Sequence, residues 1–384
     1  MSGPRRRFVA RFLALALLVM ALPALLAARG AAAPWPQDAG SADQGVKLKG
    51  VGESPPELGD MEWLQGKPIK KYKRGETYVL CFVSPGWLTT PHVLREAAAL
   101  QKQYAKDDVQ IVCLFVAPDP NAEPPEAYIK RRPEAAKLAV ASDKNDATLG
   151  AFKQLIGDVN MEQAVVVDKQ GQIAWHGEVF PDLGPAIAAA QTDDTEPLDQ
   201  LVANRYAIKQ GAQPHVEALT KAMGDRQWDQ VVAEVDALFA LDAQDFADIG
   251  YMKYQALVVA GKQEEAAAWG RELLAGPLKD DELQLNSLAW WIVDPAGGPS
   301  DADRDVELAL SVAERACELS GQKDAALLDT LARAHYRLGD RDQAIELQKK
   351  AVSVAFGEMK SVVQKSLDEY VAAPKPEPGG RDPK

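Results

Sequence analysis

Cysteine and histidine are two residue types whose spacing would reveal thiol chemistry or a transition-metal site in this chain. The 384 residues include three cysteines, Cys81, Cys113 and Cys317, and four histidines. No two cysteines have the Cys-x-x-Cys spacing of a redox pair or a zinc site, and the histidines are scattered. The sequence therefore predicts no metal site, no cofactor and no disulfide framework. All three cysteines lie among apolar residues, where a free cysteine commonly acts as a small hydrophobic side chain.

The elements that would position these residues begin near residue 56. Buried strands are predicted by apolar runs rich in strand formers, at 78–83, 109–116, 138–141 and 164–167. Residues 93–104 have apolar side chains at helical spacing, and the Asp168-Lys-Gln-Gly171 sequence predicts a tight turn into a last strand. This order predicts an α/β fold, a mixed sheet flanked by helices. Cys81 and Cys113 lie in two of these strands, and a bridge between them would require neighbouring strands with suitable separations.

A resemblance to a known superfamily is carried by three stretches of this region. The segment from Gly66-Lys-Pro to Ser84-Pro-Gly-Trp87, the helix after it, and the strand–turn–strand at 165–173 resemble the thioredoxin-like redoxins. That superfamily includes exported thiol–disulfide oxidoreductases and the alkyl hydroperoxide reductase/thiol-specific antioxidant peroxiredoxins. The resemblance covers residues 56–193 and implies a thioredoxin-like domain there.

The resemblance also shows which catalytic residues are replaced. Thiol–disulfide oxidoreductases place Trp-Cys-x-x-Cys where a strand enters a helix, because the helix N-terminus lowers the pKa of the first cysteine. Aligning Trp87 with that tryptophan puts Leu88 and Pro91 at the two cysteine positions, and neither can form a thiolate. Phe82 replaces the polar or acidic strand residue that many relatives carry. The segment 160–163 lacks the proline that relatives hold in the cis form.

An alignment with the peroxiredoxins leads to the same conclusion through a different residue. Their Pro-x-x-x-Thr-x-x-Cys motif is matched in spacing by Pro85, Thr89 and His92, with His92 at the cysteine position. Imidazole cannot form a sulfenic acid, so peroxide reduction by this route is excluded. His92 could serve as a replacement base or ligand. We favour a surface residue beside a helix start that Thr89 or Thr90 caps and where Pro91 occupies the first turn. Beside a helix N-terminus the neutral ring is the expected form.

Residues 194–373 show no strand pattern and predict an all-α domain. The spacing of small residues from Leu328 to Ala351, with Gly339 between two helices, resembles the tetratricopeptide repeat. Weaker matches bring the total to three or four repeats, and an ordinary helical bundle is the alternative. Such repeats form a groove that binds segments of other proteins. The candidate groove residues, which could equally be core, are Tyr251, Tyr254, Trp290, Trp291, His335 and Tyr336.

The termini and the charge indicate where the protein acts. A run of three arginines, an apolar stretch over 12–28 and small residues after it predict a signal peptide at 1–33. An uncleaved anchor is the alternative, although Pro23 breaks a stretch already short for a membrane span of ~20 residues. Residues 34–55 are predicted to be a linker and 374–384 a disordered tail. The net charge of −13 argues against nucleic acids, and against membranes except through an uncleaved leader.

These observations predict an exported protein of the periplasm or cell envelope that binds other proteins or peptides and carries no redox activity. An acidic surface favours basic or neutral partners. The alternative is an oxidoreductase of the redoxin type, with thiol–disulfide or peroxide chemistry at a non-standard site. A metal-binding thioredoxin-like chaperone would need a Cys-x-x-x-Cys and histidine set that this sequence lacks.

Overall fold

A computed structural model describes residues 47–58, 61–85, 87, 89–116, 123–159, 163–192 and 194–372. The predicted signal peptide, the predicted tail and residues 34–46 of the predicted linker lie outside the described residues. No helix in the described ranges combines the length and the apolar character needed to cross a bilayer.

One mixed sheet organises the first half of the chain. Its six strands within the described ranges are β1 (Glu62–Gln65), β2 (Thr77–Val83), β3 (Val109–Phe115), β4 (Ala139–Ser142), β5 (Gln163–Val167) and β6 (Ile173–Glu178). Their order in the sheet is β1-β4-β3-β2-β5-β6. Strands β2, β3 and β4 are parallel, whereas β5 is antiparallel to β2, β6 to β5 and β1 to β4. The strands predicted from the apolar runs are confirmed, with ends shifted by one or two residues.

Helices cover this sheet, which explains why β2 is buried at every position. The helices along this stretch of the chain are α1 (Thr90–Gln103), α2 (Pro125–Lys130), α3 (Ala147–Ile156) and α4 (Leu183–Ala190), and those that belong with the sheet are α3, α4 and α1 from residue 96 on. The Phe82 ring contacts Phe152 of α3 edge to face, with ring centroids 5.5 Å apart. Cys81 points to the opposite face, since side chains alternate along a strand. Its electrostatic neighbours include Glu96 of α1. The sheet order and its helices form a thioredoxin-like fold.

The turn between β5 and β6 forms as predicted. The Asp168 side chain accepts hydrogen bonds from the backbone N–H groups of Gln170 and Gln172, both at 2.9 Å. Gly171 adopts a φ of 82°, a left-handed conformation that glycine accepts without a steric penalty.

The described part of the predicted linker, 47–55, packs against the sheet and is not a linker. The Gly52 N–H donates to the Ile173 carbonyl at 2.8 Å, and the Ile173 N–H donates to the Glu53 carbonyl at 2.9 Å. Gly50 has a φ of 78°, and a Cβ there would lie 2.9 Å from the Leu155 carbonyl oxygen. Because only glycine fits that turn, a composition typical of linkers here encodes an ordered segment.

The rest of the chain is helical. Its helices are α5 (Glu196–Asp225), α6 (Trp228–Asp242), α7 (Gly250–Val259), α8 (Gln263–Ala275), α9 (Glu282–Val293), α10 (Val306–Leu319), α11 (Ala325–Arg337), α12 (Arg341–Val354) and α13 (Gly357–Ala372). They pack in pairs, α5 with α6, α7 with α8, α9 with α10 and α11 with α12. In the last pair, Ala332, Ala344 and Ala351 are completely buried where the predicted small residues meet. Gly339, with a φ of 84°, forms the turn between α11 and α12.

The chain divides into two compact units whose limits differ from a simple division at residue 193. The first unit holds the described residues of Met1–Ser84, Glu96–Pro125 and Lys137–Asp242, and the second holds those of Pro85–Arg95, Glu126–Ala136 and Ala243–Lys384. Helix α5 belongs to the first unit, where Arg205 donates two hydrogen bonds of 2.8 and 2.6 Å to the buried carboxylate of Asp182. The segment at the replaced cysteine positions belongs to the second unit.

Candidate functional site

The segment that corresponds to a redox site follows β2 and leads into α1. Trp87 is half-buried, and Leu88 lies outside the described residues. Helix α1 begins at Thr90, and Pro91 is buried in its first turn, as predicted. The Thr89 carbonyl accepts the Val93 N–H at 3.1 Å and so begins the helical hydrogen-bond pattern. Of the two threonines expected as caps, Thr89 does not cap the helix, because its hydroxyl is buried without a hydrogen-bond partner within the described ranges.

The start of α1 has the geometry that activates a cysteine but carries no thiol. Unpaired N–H groups and the positive end of the helix dipole would stabilise a thiolate there. The described residues of the segment instead supply an indole, two hydroxyls, a proline ring and an imidazole. At the strand position where relatives place a polar or acidic residue, Phe82 has no exposed surface and contacts Phe152. The described residues of this segment therefore supply no cysteine thiol at the start of α1.

His92 is half-buried, which corrects its expected place on the surface. Burial and then the nearby Arg95 charge lower the pKa of its ring to about 4, and the Asp280 charge partly opposes this shift. The ring is therefore neutral at pH 7, the form expected beside a helix N-terminus. Within the described residues no group of three or more histidine, cysteine or acidic side chains is placed to hold a metal ion.

One turn after His92, Arg95 forms the strongest polar contact of this segment. Its two terminal nitrogens donate to the two carboxylate oxygens of Glu282, at the start of α9. The Glu282 side chain is 3% exposed and that of Arg95 is 19% exposed, so the pair is shielded from water. Both residues lie in the second unit. The contact therefore fixes the first turn of α1 to the start of α9.

A second arginine of this unit makes a weaker contact of the same kind. Arg132 lies 4.0 Å from the carboxylate of Asp324, and its guanidinium stacks 5.0 Å from the centre of the Tyr128 ring. Asp324 also caps α11 by accepting N–H hydrogen bonds from Ala326 and Leu327. Sequence analysis missed both arginines, because their partners lie far along the chain and no local pattern connects them.

The cysteines lie in the core rather than at the site. Cys81 and Cys113 are directly opposite each other on the parallel strands β2 and β3, and both are free and fully buried. The pKa of the Cys81 thiol is raised well above its usual range. The larger cause is a hydrogen bond to Cys113, and the next is burial. Burial raises the pKa of Cys317 to about 12. The thiols of Cys81 and Cys317 therefore stay protonated at neutral pH, and the thiolate is the reactive form.

The candidate groove residues of the helical half divide into core and partly exposed side chains. Tyr254 is 1% exposed, and its ring contacts that of Trp291 edge to face. It therefore belongs to the core and does not line a binding surface. Tyr251, Trp290 and Trp291 are half-buried on α7 and α9. The Trp290 indole N–H is buried with no hydrogen-bond partner among the described residues.

The two candidates on α11 have partners of their own. Nδ1 of His335 lies 3.3 Å from a carboxylate oxygen of Asp340. The Tyr336 ring stacks on Tyr370 of α13, with centroids 4.4 Å apart. His176 lies within β6, where its Nε2 is 2.9 Å from the Lys49 carbonyl oxygen.

Comparison with known proteins gives similarity at the level of fold only. No protein-family model matches the sequence, and no curated protein matches it. A thiol:disulfide interchange protein from Chlorobium tepidum is 17% identical, over 36% of this chain and 98% of that chain, with a TM-score of 0.30. StoA from Bacillus subtilis is 14% identical, over 37% and 93%, with a TM-score of 0.26. The bacterioferritin comigratory protein of Xanthomonas campestris is 16% identical, over 37% and 90%, with a TM-score of 0.25.

Proposed function

We propose that this chain is an exported protein-interaction module without redox activity, in which a thioredoxin-like domain is combined with tetratricopeptide-like helical repeats. The observation that carries the proposal is the helix start at α1, where the described residues hold no thiol while all three cysteines are buried elsewhere. Thiol chemistry requires an accessible thiolate, and none of these cysteines meets that condition.

The redox part of the proposal is tested by thiol-dependent insulin reduction and peroxide turnover, with a thioredoxin and a peroxiredoxin as positive controls. We expect rates equal to those of the reaction without protein. Turnover that disappears in Cys81→Ser or Cys113→Ser would contradict the proposal and assign redoxin chemistry to the buried pair.

The interaction part depends on the half-buried aromatic residues of α7 and α9. Tyrosine and tryptophan are enriched among the residues that dominate binding at protein interfaces, and Tyr251 and Trp290 each keep part of their side chain exposed. The full chain would be used as bait in a cell-envelope extract, beside Tyr251→Ala/Trp290→Ala and the control Val259→Ala. Val259 is an exposed residue at the end of α7.

We expect a partner retained by the wild-type chain and by the control but lost by the double variant. Equal retention by all three chains would place the partner site elsewhere. Export is tested separately by the intact mass of the protein recovered from the cell envelope, which should correspond to a chain lacking a leader of about 33 residues.

A further inference from the structure

A short basic loop stands out in this acidic protein. Residues 67–74, named here the basic loop, contain five cations and no acid, in a chain of net charge −13. The cations are Lys67, Lys70, Lys71, Lys73 and Arg74, and all five are exposed. Lys73 pairs with Glu76 at 3.0 Å. The structure gives the other four no hydrogen bond or ion pair within the described ranges.

The basic loop is held in one conformation by two tyrosines. The Tyr72 hydroxyl donates to the Pro56 carbonyl at 3.1 Å, and its ring meets that of Tyr78 edge to face, with centroids 5.2 Å apart. The Tyr78 hydroxyl accepts the Lys73 backbone N–H at 3.1 Å and donates to the Glu76 carboxylate at 2.7 Å. A loop fixed in this way loses little conformational entropy when a ligand binds.

The basic loop also forms one side of an open cavity of about 240 Å³. Its apolar part includes Pro55, Leu58, Ile69 and Tyr72, and Lys70 and Lys71 lie at the same cavity. Glu57 supplies the single carboxylate among the lining residues that the structure describes. Because small-molecule and cofactor pockets occupy roughly 300–1,000 Å³, this cavity suits a single apolar or aromatic side chain better than a cofactor.

We infer that the basic loop is a docking site for an acidic segment of a partner protein, with one apolar side chain of that segment in the cavity. Exposed unpaired cations attract carboxylates, and the apolar lining adds contacts that a purely ionic surface lacks. An anionic membrane is a poorer partner, because a flat lipid surface leaves the cavity unused. This surface goes beyond the proposed function, because it would bind an acidic partner, whereas the acidic character of the whole chain favours basic or neutral partners.

The test uses the full chain and a fluorescein-labelled peptide, Glu-Glu-Glu-Trp-Glu-Glu-Glu, in fluorescence anisotropy at 50 and 300 mM salt. The variant is Lys70→Glu/Lys71→Glu. The control is Lys349→Glu/Lys365→Glu, which makes the same charge change at exposed lysines of α12 and α13. Reversing two charges removes two attractions and adds two repulsions, each comparable to a surface ion pair, so we expect about a tenfold loss of affinity.

We expect the control to bind within twofold of the wild type, and wild-type binding to weaken at 300 mM salt because exposed charges are screened. Equal binding by the variant and the wild type, or no wild-type binding, would overturn the inference. A second result would also overturn it. If the wild type sediments with phosphatidylglycerol vesicles but does not bind the peptide, and Lys70→Glu/Lys71→Glu abolishes the sedimentation, the loop binds a lipid surface instead.

Discussion

The ion pair between Arg95 and Glu282 gives the sharpest test of the structure. Glu282→Ala leaves a guanidinium without its carboxylate in a site where Glu282 is 3% and Arg95 19% exposed. Removing one partner of a fully buried pair costs about 3–5 kcal/mol. Because Arg95 retains some contact with water, we expect a loss of about 2–3 kcal/mol in the free energy of unfolding of the second unit.

The control for this prediction is Glu264→Ala. Like Glu282, Glu264 is an acidic residue in the first turn of a helix, but it is exposed. It therefore measures the loss of the favourable helix-dipole contact alone, and we expect a cost below about 1 kcal/mol.

The assay is thermal and urea unfolding followed by tryptophan fluorescence, with hydrogen exchange of residues 85–95 as the local measurement. A loss of 2–3 kcal/mol corresponds to a Tm lower by roughly 4–12 °C. A double-mutant cycle with Arg95→Met isolates the pair, and we expect a coupling free energy of about 2 kcal/mol. A coupling below about 0.5 kcal/mol would refute the assignment of a shielded ion pair.

Three further predictions follow from groups described above. The pKa of His92 is about 4 in the folded chain and near 6.5 in the unfolded chain. Between these pH values the unfolded chain binds more protons than the folded chain, so the free energy of unfolding decreases as the pH falls from 6.5 to 4. The loss should reach no more than about 3 kcal/mol, and denaturation at pH 7 and pH 5 should show a smaller difference for His92→Gln. Ellman's reagent should detect no thiol in the native protein and three after denaturation, because all cysteines are buried; rapid reaction of the native chain would contradict the structure. Arg205→Met should lower the free energy of unfolding by about 3 kcal/mol by stranding the buried Asp182 carboxylate, whereas Lys209→Met, which breaks an exposed pair, should cost less than about 1 kcal/mol.

The strands and most of the first helix could be predicted from the sequence because each is encoded locally. Runs of β-branched and aromatic residues predict β2 and β3 wherever they lie, and the Asp168 to Gly171 turn depends on two residue types at fixed offsets. The replaced cysteine positions could also be identified locally, since they follow Trp87 at a fixed spacing.

The contacts that define the surroundings of the site could not be predicted. Arg95 and Glu282 are 187 residues apart, and nothing in either neighbourhood distinguishes them from other surface charges. The burial of His92 follows from packing that its own sequence does not reveal. The positive charge of the basic loop could not be recognised from the net charge of the whole chain. That sum combines the five local cations with many acidic residues elsewhere in the sequence.

The division of helix α1 between the two compact units has a consequence for how this protein folds and how it can be dissected. The chain passes from one unit to the other at residues 84–85, 95–96, 125–126, 136–137 and 242–243. No single cut separates the two units. A fragment that begins at residue 243 lacks Pro85–Arg95 and Glu126–Ala136 of the second unit, and a fragment that ends at residue 242 keeps these two segments without the rest of that unit. We therefore expect neither fragment to fold as an autonomous domain. A truncation at residue 243 therefore divides the second unit instead of separating the two units.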